Sequence, residues 1–222
     1  MTFDKSPQKI QAMFNLISGK YDLLNNVISL GTQKYVKYMS IKSLNIKPYA
    51  GVIDLCCGTG DLARIIKQIE PDAKVTGIDF SGKMLEIARR KSKDIQYLQG
   101  DVTNLPFGDN TFDFAVMGFG LRNIQNAEKA VEEVYRILKS GGCFMHLDFG
   151  NKNIISKLFD FIIPILARLF TDNYSAYSYL IKSKQIFPEP EDLIKDFESK
   201  GFKLRKRKDF LFGVISMQIM IK

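Results

Sequence analysis

One pattern constrains the fold of this chain more than any other: from Gly51 to Phe149, short apolar runs alternate with amphipathic stretches of helical period. The spacing predicts strands at Gly51–Cys56, Lys74–Asp79, Ile95–Gln99, Phe112–Met117 and Cys143–Phe149. Helices are expected between them at Asp61–Ile69, Met84–Lys91 and Ala127–Leu138, with turns at Ser81–Gly82 and Gly141–Gly142. Strands joined by helical crossovers run parallel, so the pattern specifies a doubly wound α/β sheet. The end of the chain departs from it. Pro190–Lys200 reads as a helix closed by Gly201, followed by strands Phe202–Lys208 and Phe212–Ile221 around a short turn. A hairpin reverses direction, so the expected sheet has seven strands, mostly parallel, with an antiparallel C-terminal hairpin strand. Upstream, Ile10, Phe14, Ile17, Tyr21 and Leu24 recur at helical spacing and predict N-terminal helices, bounded from the sheet by Pro48 and Gly51.

Composition removes several alternatives. At 222 residues and 45% hydrophobic, the chain can bury a core of its own and reads as a single domain. The single His146 excludes multi-histidine metal sites and argues against a Ser-His or Cys-His catalytic pair, so no metal is expected. Cys56, Cys57 and Cys143 are odd in number and two are adjacent, which suits a reducing compartment; no secretory leader is read at the N-terminus, so the expected location is the cytoplasm. Ile154–Phe170 is the most apolar stretch, but Lys157, Asp160, Pro164 and Arg168 interrupt it, and it is short for a membrane span. The net charge of +8 invites a nucleic-acid reading, yet it is unevenly placed: +5 in residues 1–50, −2 in 51–150 and +5 in 151–222. The acidic centre suits a cationic ligand, and the basic flanks suit an anionic surface or are ordinary solvated lysines.

Ligands of open α/β sheets sit at the carboxyl ends of the strands. There this sequence carries Asp54-Leu-Cys-Cys-Gly58-Thr59-Gly60-Asp61 after the first strand, Asp79 after the second and Gly100-Asp101-Val102 after the third. Gly58 and Gly60 permit close backbone approach, Asp79 is placed to accept from ribose hydroxyls, and Asp101 beside Val102 suits an adenine amino group against an apolar wall. Gly58-Thr59-Gly60 with Ala63 also satisfies the dinucleotide fingerprint. Asp54 argues against it, because a carboxylate there repels a pyrophosphate but can hold a cation. S-adenosylmethionine, with an ammonium group, ribose and adenine and no phosphate, fits the three acids better; their bland alternative is turn formation.

These residues belong to a longer set. Tyr21-Asp22 with Asn25-Asn26 and Ser29, the Asp54–Asp61 loop, Gly77-Ile-Asp-Phe-Ser81 through Met84-Leu85, Leu105-Pro-Phe107 and above all Gly118-Phe-Gly-Leu-Arg-Asn123 continue into Tyr179-Leu180, Phe187-Pro188 and Gly201-Phe202. In these the chain resembles the ubiquinone/menaquinone biosynthesis C-methyltransferases, a family of class I S-adenosylmethionine-dependent enzymes, over nearly its whole length. The resemblance implies a Rossmann-like fold divided into an N-terminal helical cap (1–48), a cofactor-binding core (49–150), apolar substrate-lid helices (151–188) and a C-terminal helix and hairpin (189–222). It implies cofactor contacts at Thr59, Asp79, Asp101 and Val102, to which the reading of the loop adds Asp54, Gly58 and Gly60, and it implies methylation of a prenylated quinol, demethylmenaquinol before others. Arg122 and Asn123 are expected at the quinol oxygens, Tyr21 and Asp22 closing over the site from the N-terminal helices, and Asp148 near the ring as a proton acceptor. His146, inside a strand, is expected to be a core residue, and Cys56 and Cys57 to shape the loop.

A bilayer-dissolved acceptor implies transient contact with a membrane surface, for which Ile154–Phe170 is the expected face; a buried lid or a homodimer contact is the alternative. Tyr35, Val36, Asp101, Asp148, Gly150, Lys182 and Gln218 depart from the family's pattern, and Tyr35, Lys182 and Gln218 keep open another small hydrophobic acceptor. A non-enzymatic RNA-binding module using Arg205-Lys-Arg-Lys208 is the third reading, weakened by the absence of interleaved aromatics; no nucleic-acid partner is expected.

Overall fold

The computed structural model describes residues 5–29, 31–158, 179 and 182–222. Its strands are β1 (Gly51–Leu55), β2 (Lys74–Asp79), β3 (Gln96–Gln99), β4 (Phe112–Gly118), β5 (Leu138–Phe149), β6 (Lys203–Phe210) and β7 (Ile215–Ile221). The main helices are α1 (Pro7–Ile17), α2 (Tyr21–Ile28), α3 (Thr32–Lys42), α4 (Asp61–Ile69), α5 (Gly82–Lys91), α6 (Ala127–Ile137) and α7 (Pro190–Ser199). All seven strands form one sheet in the order β3-β2-β1-β4-β5-β7-β6. The pairs among β1 to β5 are parallel, and β7 is antiparallel to both β5 and β6. The expected α/β sheet with its reversed C-terminal hairpin is therefore the observed one.

Alternation along the strands builds two cores, one per sheet face. Val52, Ile66, Leu85, Met145 and Met217 lie on the face covered by α3, α4 and α5. Ile53, Val134, Phe144, Phe197 and Met220 lie on the other, under α6 and α7. Local signals set the helix starts. Ser81 Oγ accepts from Met84 N at the start of α5, Asn126 Oδ1 from Lys129 N before α6, and Pro190 opens α7 ahead of two acids.

The differences from expectation have identifiable causes. α5 begins two residues early, because Ser81 caps it. The hairpin turn falls at Leu211–Gly213 and delays β7 to Ile215, because three successive residues there have positive φ. Helix α3 has a weaker apolar pattern than its neighbours; its Val36 and Ile41 are buried, and so is Lys37, which pairs with Asp61. Most of Ile154–Phe170, and Leu180, lie outside the described residues; 154–158 and 182–186 are helical.

β6 closes one edge of the sheet with Lys203, Arg205 and Lys206 exposed, a charged edge that resists pairing with another chain. Arg207 is committed to Glu191 and Asp209, and Arg205 Nη1 reaches Cys143 Sγ at 3.6 Å. The basic run is thus the edge of a sheet rather than a stacking surface, and the RNA reading is not favoured.

Within the sheet, a Cβ on Gly77 of β2 would stand 2.7 Å from the Tyr97 ring and 3.0 Å from Cys57 Sγ. Gly77→Ala should therefore cost about 1–3 kcal/mol of stability, read by chemical denaturation; a neutral result would show that Tyr97 can retreat.

Candidate active site

Chain crossovers diverge between β1 and β4, so the crevice at the carboxyl ends of these strands is the topological switch point. A cleft of about 860 Å³ opens there. Gly58, Asp79, Asp101, Val102, Asn123 and Tyr21, all expected at the site, line it together with Lys5, Cys56, Phe80 and Phe119.

The loop after β1 turns sharply, with φ of 54° at Cys56, 55° at Gly58 and 81° at Gly60. At Gly60 a side chain has no room: its Cβ would collide with the Tyr97 hydroxyl. Asp79 holds this loop, its Oδ2 accepting from Gly58 N and its Oδ1 from Ser81 N, both at 2.8 Å. Burial raises the Asp79 carboxyl and these amides pull it back. Asp54 lies behind the cleft wall instead. It is 1% exposed, and its Oδ2 accepts at 3.0 Å from Ala63 N in the first turn of α4. Burial pushes its pKa up to about 8 against the opposing amide bond and Lys37. Thr59 is also buried and donates at 2.6 Å to Asp22 Oδ1 of α2, while Gly60 packs inward. Asp22 is bonded to Lys91, which reaches Asp61, itself paired with Lys37. This charge chain ties the N-terminal helices across the loop, leaving Tyr21 in the cleft. Helix α1 adds Gln11 Nε2 to the Phe80 carbonyl and receives the Ser81 hydroxyl on Asn15.

Asp101 is shaped by its own turn, Oδ1 accepting from Thr103 N and Oγ1 at 2.8 Å, with Val102 buried beside it. Burial first, and the neighbouring carboxylates second, push the Cys56 and Cys57 thiols well up, so both pack as neutral thiols.

After β4, Phe119 turns at φ 58°, and Gly120 lies where a Cβ would come within 2.7 Å of Cys56 Cβ. This brings Asn123 into the cleft and Arg122 behind it. Arg122 is 7% exposed; its Nη1 donates at 2.8 Å both to the Phe119 carbonyl and to Asp148 Oδ1, and its guanidinium lies 5.0 Å from the Phe149 ring centroid. Neither Arg122 nor Asp148 lines the cleft. Among the described residues Arg122 Nε and Asp148 Oδ2 have no hydrogen-bond partner. Asn123 Oδ1 accepts from the Tyr179 hydroxyl at 2.9 Å, whose pKa burial raises to about 12. Lys5 projects into the same cleft, its pKa lowered by burial and by Arg122. Sequence reasoning assigned no role to Lys5 or Tyr179, since each meets the site only through distant contacts, and it expected Asp22 to close over the site with Tyr21 without showing its bonds to Thr59 and Lys91. His146 is buried among Phe144, Phe187 and Phe197, and Gln218 binds its Nδ1 at 2.8 Å. Burial lowers its pKa, so it is neutral.

A seven-stranded sheet with this reversed hairpin, and a glycine loop and acids at its switch point, defines a class I S-adenosylmethionine-dependent methyltransferase fold. Solved structures agree: an S-adenosylmethionine-dependent methyltransferase of Thermotoga maritima, a possible histamine N-methyltransferase, aligns at TM-score 0.71 and 22% identity over 95% of this chain and 99% of that one. The [4+2]-cyclase SpnF aligns at 0.73 with 15% identity over 97% and 95%, so the fold alone does not fix the reaction. Sequence goes further. The chain belongs to the ubiE/COQ5 methyltransferase family, whose pattern matches residues 2–222. It is 36% identical to the demethylmenaquinone methyltransferase of Staphylococcus saprophyticus, covering 97% of both chains, and 35% identical to that of Staphylococcus haemolyticus, covering 97% and 94%.

Two measurements test the site's electrostatics. Arg122→Ala leaves Asp148 as a buried uncompensated charge and should cost about 3–5 kcal/mol; Arg122→Ala with Asp148→Ala should cost less than the sum of the singles in a denaturation cycle. Asp54 binds its proton more tightly in the folded state, so its contribution is fully present below its ordinary value of 3.8 and is lost as pH rises towards about 8. Asp54→Asn should flatten the wild-type fall in stability across that window, by up to about 1.4 kcal/mol per pH unit. Parallel profiles for the two proteins would contradict the buried-proton assignment.

Proposed function

We propose that this methyltransferase transfers the methyl group of S-adenosylmethionine to a ring carbon of a prenylated quinol, with demethylmenaquinol as the acceptor. The observation that carries the reading is the division of the cleft. Its β1–β3 side presents carboxylates and glycine backbone that suit an amino-acid-bearing nucleoside, its β4 side presents Asn123 and Phe119 beside a buried Arg122–Asp148 pair, and Tyr21 lines it from the N-terminal helices. The names of the relatives support the same acceptor.

The residues fit the cofactor at the cleft wall. Gly58 lets backbone approach the amino-acid portion, Asp79 retains acceptor capacity for ribose hydroxyls beyond its two amides, and Asp101 and Val102 frame the base. Asp54, Thr59 and Gly60 contribute from behind, by holding α4 and the loop. When bound, the cofactor supplies an electrophilic methyl on a cationic sulfur.

The protein's own task is orientation and charge. A quinol carbon becomes a strong nucleophile as its ring hydroxyl loses a proton. Asn123 and Tyr21 hold the ring oxygens, and Lys5 and Arg122 stabilise the developing phenolate. Arg122 acts across Asn123 and is fixed by Phe119 and Asp148. Asp148 is buried behind the cleft wall, so in this reading a ring proton reaches its unbonded oxygen by way of a water rather than directly, and what the carboxylate does directly is fix the Arg122 guanidinium. Arg122 stays charged throughout, since a guanidinium does not deprotonate at physiological pH.

Labelled S-adenosylmethionine with reduced short-tailed demethylmenaquinol and demethoxyubiquinol-type acceptors tests this directly. Methylation of the naphthoquinol is expected; turnover of neither ring would reject the reading. Asp79→Ala should weaken cofactor binding by about 1–3 kcal/mol by calorimetry, while Asn123→Ala should lower kcat with cofactor affinity nearly unchanged. A bilayer-dissolved acceptor also requires the protein to approach a membrane transiently, although among the described residues no helix is long and apolar enough to cross one.

A further inference from the structure

The turn between β6 and β7 spends backbone strain on exposing a ring. Leu211, Phe212 and Gly213 have φ of 50°, 56° and 88°, a left-handed run in which two of three residues carry side chains. Leu211 turns inward and packs on the core, but Phe212 is 83% exposed. Its backbone is not loose: Asn153 Nδ2 donates to the Phe212 carbonyl and Asn151 N to the Gly213 carbonyl, both at 2.7 Å. Gly150 lies so close to the Gly213 carbonyl that it has no room for a side chain, which gives this departure from the family pattern a physical cause. The adjoining segment repeats the arrangement. Ile155 packs on the core, while Ile154 is 82% exposed and Leu158, one turn on, 56%. Strain here maintains a protruding apolar wedge.

Position and charge identify what the wedge meets. Phe210, Ile215 and Phe149 are paired across β6, β7 and β5, so the turn projects beyond the carboxyl end of β5, the sheet edge that carries the cleft. Lys152 and Lys157, both exposed, lie on the segment that carries Ile154 and Leu158, and Lys208 lies near the end of β6 with its ammonium over the Phe210 ring. Residues 150–158 contain no acid, and Asp209 is tied to Arg207 and Ser216. We propose that Phe212, with Ile154 and Leu158, is the wedge by which this protein docks on an anionic lipid bilayer, the lysines meeting headgroups and the cleft edge facing the membrane. The inference rests on the proposed acceptor, whose prenyl tail dissolves in that phase. A second copy of the chain is a poorer occupant: stable dimers bury broad complementary faces, whereas this is a narrow projection on a chain of net charge +8.

Co-sedimentation with vesicles of phosphatidylethanolamine and phosphatidylglycerol, against vesicles of phosphatidylcholine alone, tests the docking. The full chain should bind the anionic vesicles and be released by salt. Phe212→Asp should weaken binding about tenfold or more, the loss expected for one buried aromatic side chain. Phe212→Gly removes the ring and the strain together, so it should melt no lower than wild type yet bind as weakly as Phe212→Asp. Both variants should turn over a water-soluble short-tailed acceptor at the wild-type rate. The docking surface is overturned if the wild type ignores anionic vesicles, if Phe212→Gly binds them undiminished, or if the substitutions dissociate a dimer and leave vesicle binding intact. Failure of the acceptor reading has a different signature: vesicle binding persists while no quinol is methylated.

Discussion

The cleft depends on one constraint, the fastening of a left-handed glycine loop by carboxylates at the ends of β1 and β2. Cys56, Gly58 and Gly60 adopt backbone conformations that cost free energy. They are held because Asp79 accepts from Gly58 N on one side and Asp54 from Ala63 N on the other. Cys56 then lies against Gly120 after β4, so the shape of one loop sets the other. Thr59 carries the same order outward to Asp22, and from there through Lys91 and Asp61 to Lys37. The N-terminal helices roof the cleft through that chain of charges. They hold it with pairs that remain partly solvated, which individually contribute little to stability.

The opposite wall works by different physics. Arg122 and Asp148 are almost fully withdrawn from water, where an ion pair contributes little net stability yet is expensive to break. In the proposed reaction its part is to hold a guanidinium fixed behind Asn123. Aromatic faces from Phe119 and Phe149 surround the guanidinium, lowering the local dielectric and extending the reach of its field towards the cleft. A buried charge of this kind stabilises a phenolate without having to reorganise during the reaction.

Much of this was legible in the sequence, for physical reasons. Helix α4 and strand β2 fall at the expected residues because their apolar periods are unbroken and Gly60 and Ser81 punctuate them. The acids at strand ends were visible because sheet topology puts strand termini at the ligand. What the pattern could not show was depth. Asp54 and Asp79 look alike in sequence, but only Asp79 reaches the cleft. Arg122 and Asn123 are adjacent, and a single 3-10 turn sends one behind the wall and the other into it. The tip at Leu211–Gly213 was missed for the converse reason. Leu and Phe carry no turn signal, and the conformation is imposed by Asn151 and Asn153, about sixty residues away in sequence.

That tip also changes how the charge of the chain is understood. Divided by region, the excess of +8 surrounds an acidic centre. The structure separates it again, by whether each cation has a partner. Lys37, Lys91, Arg122, Arg136 and Arg207 are spent on carboxylates within the fold. On β6, exposed lysines guard a sheet edge. Lys152 and Lys157 have no carboxylate partner among the described residues, and they stand beside a ring held outward at a conformational cost. An apolar wedge and a basic rim at the mouth edge of the sheet suit the anionic bilayer proposed as their partner, the phase in which a lipid-tailed acceptor would be met.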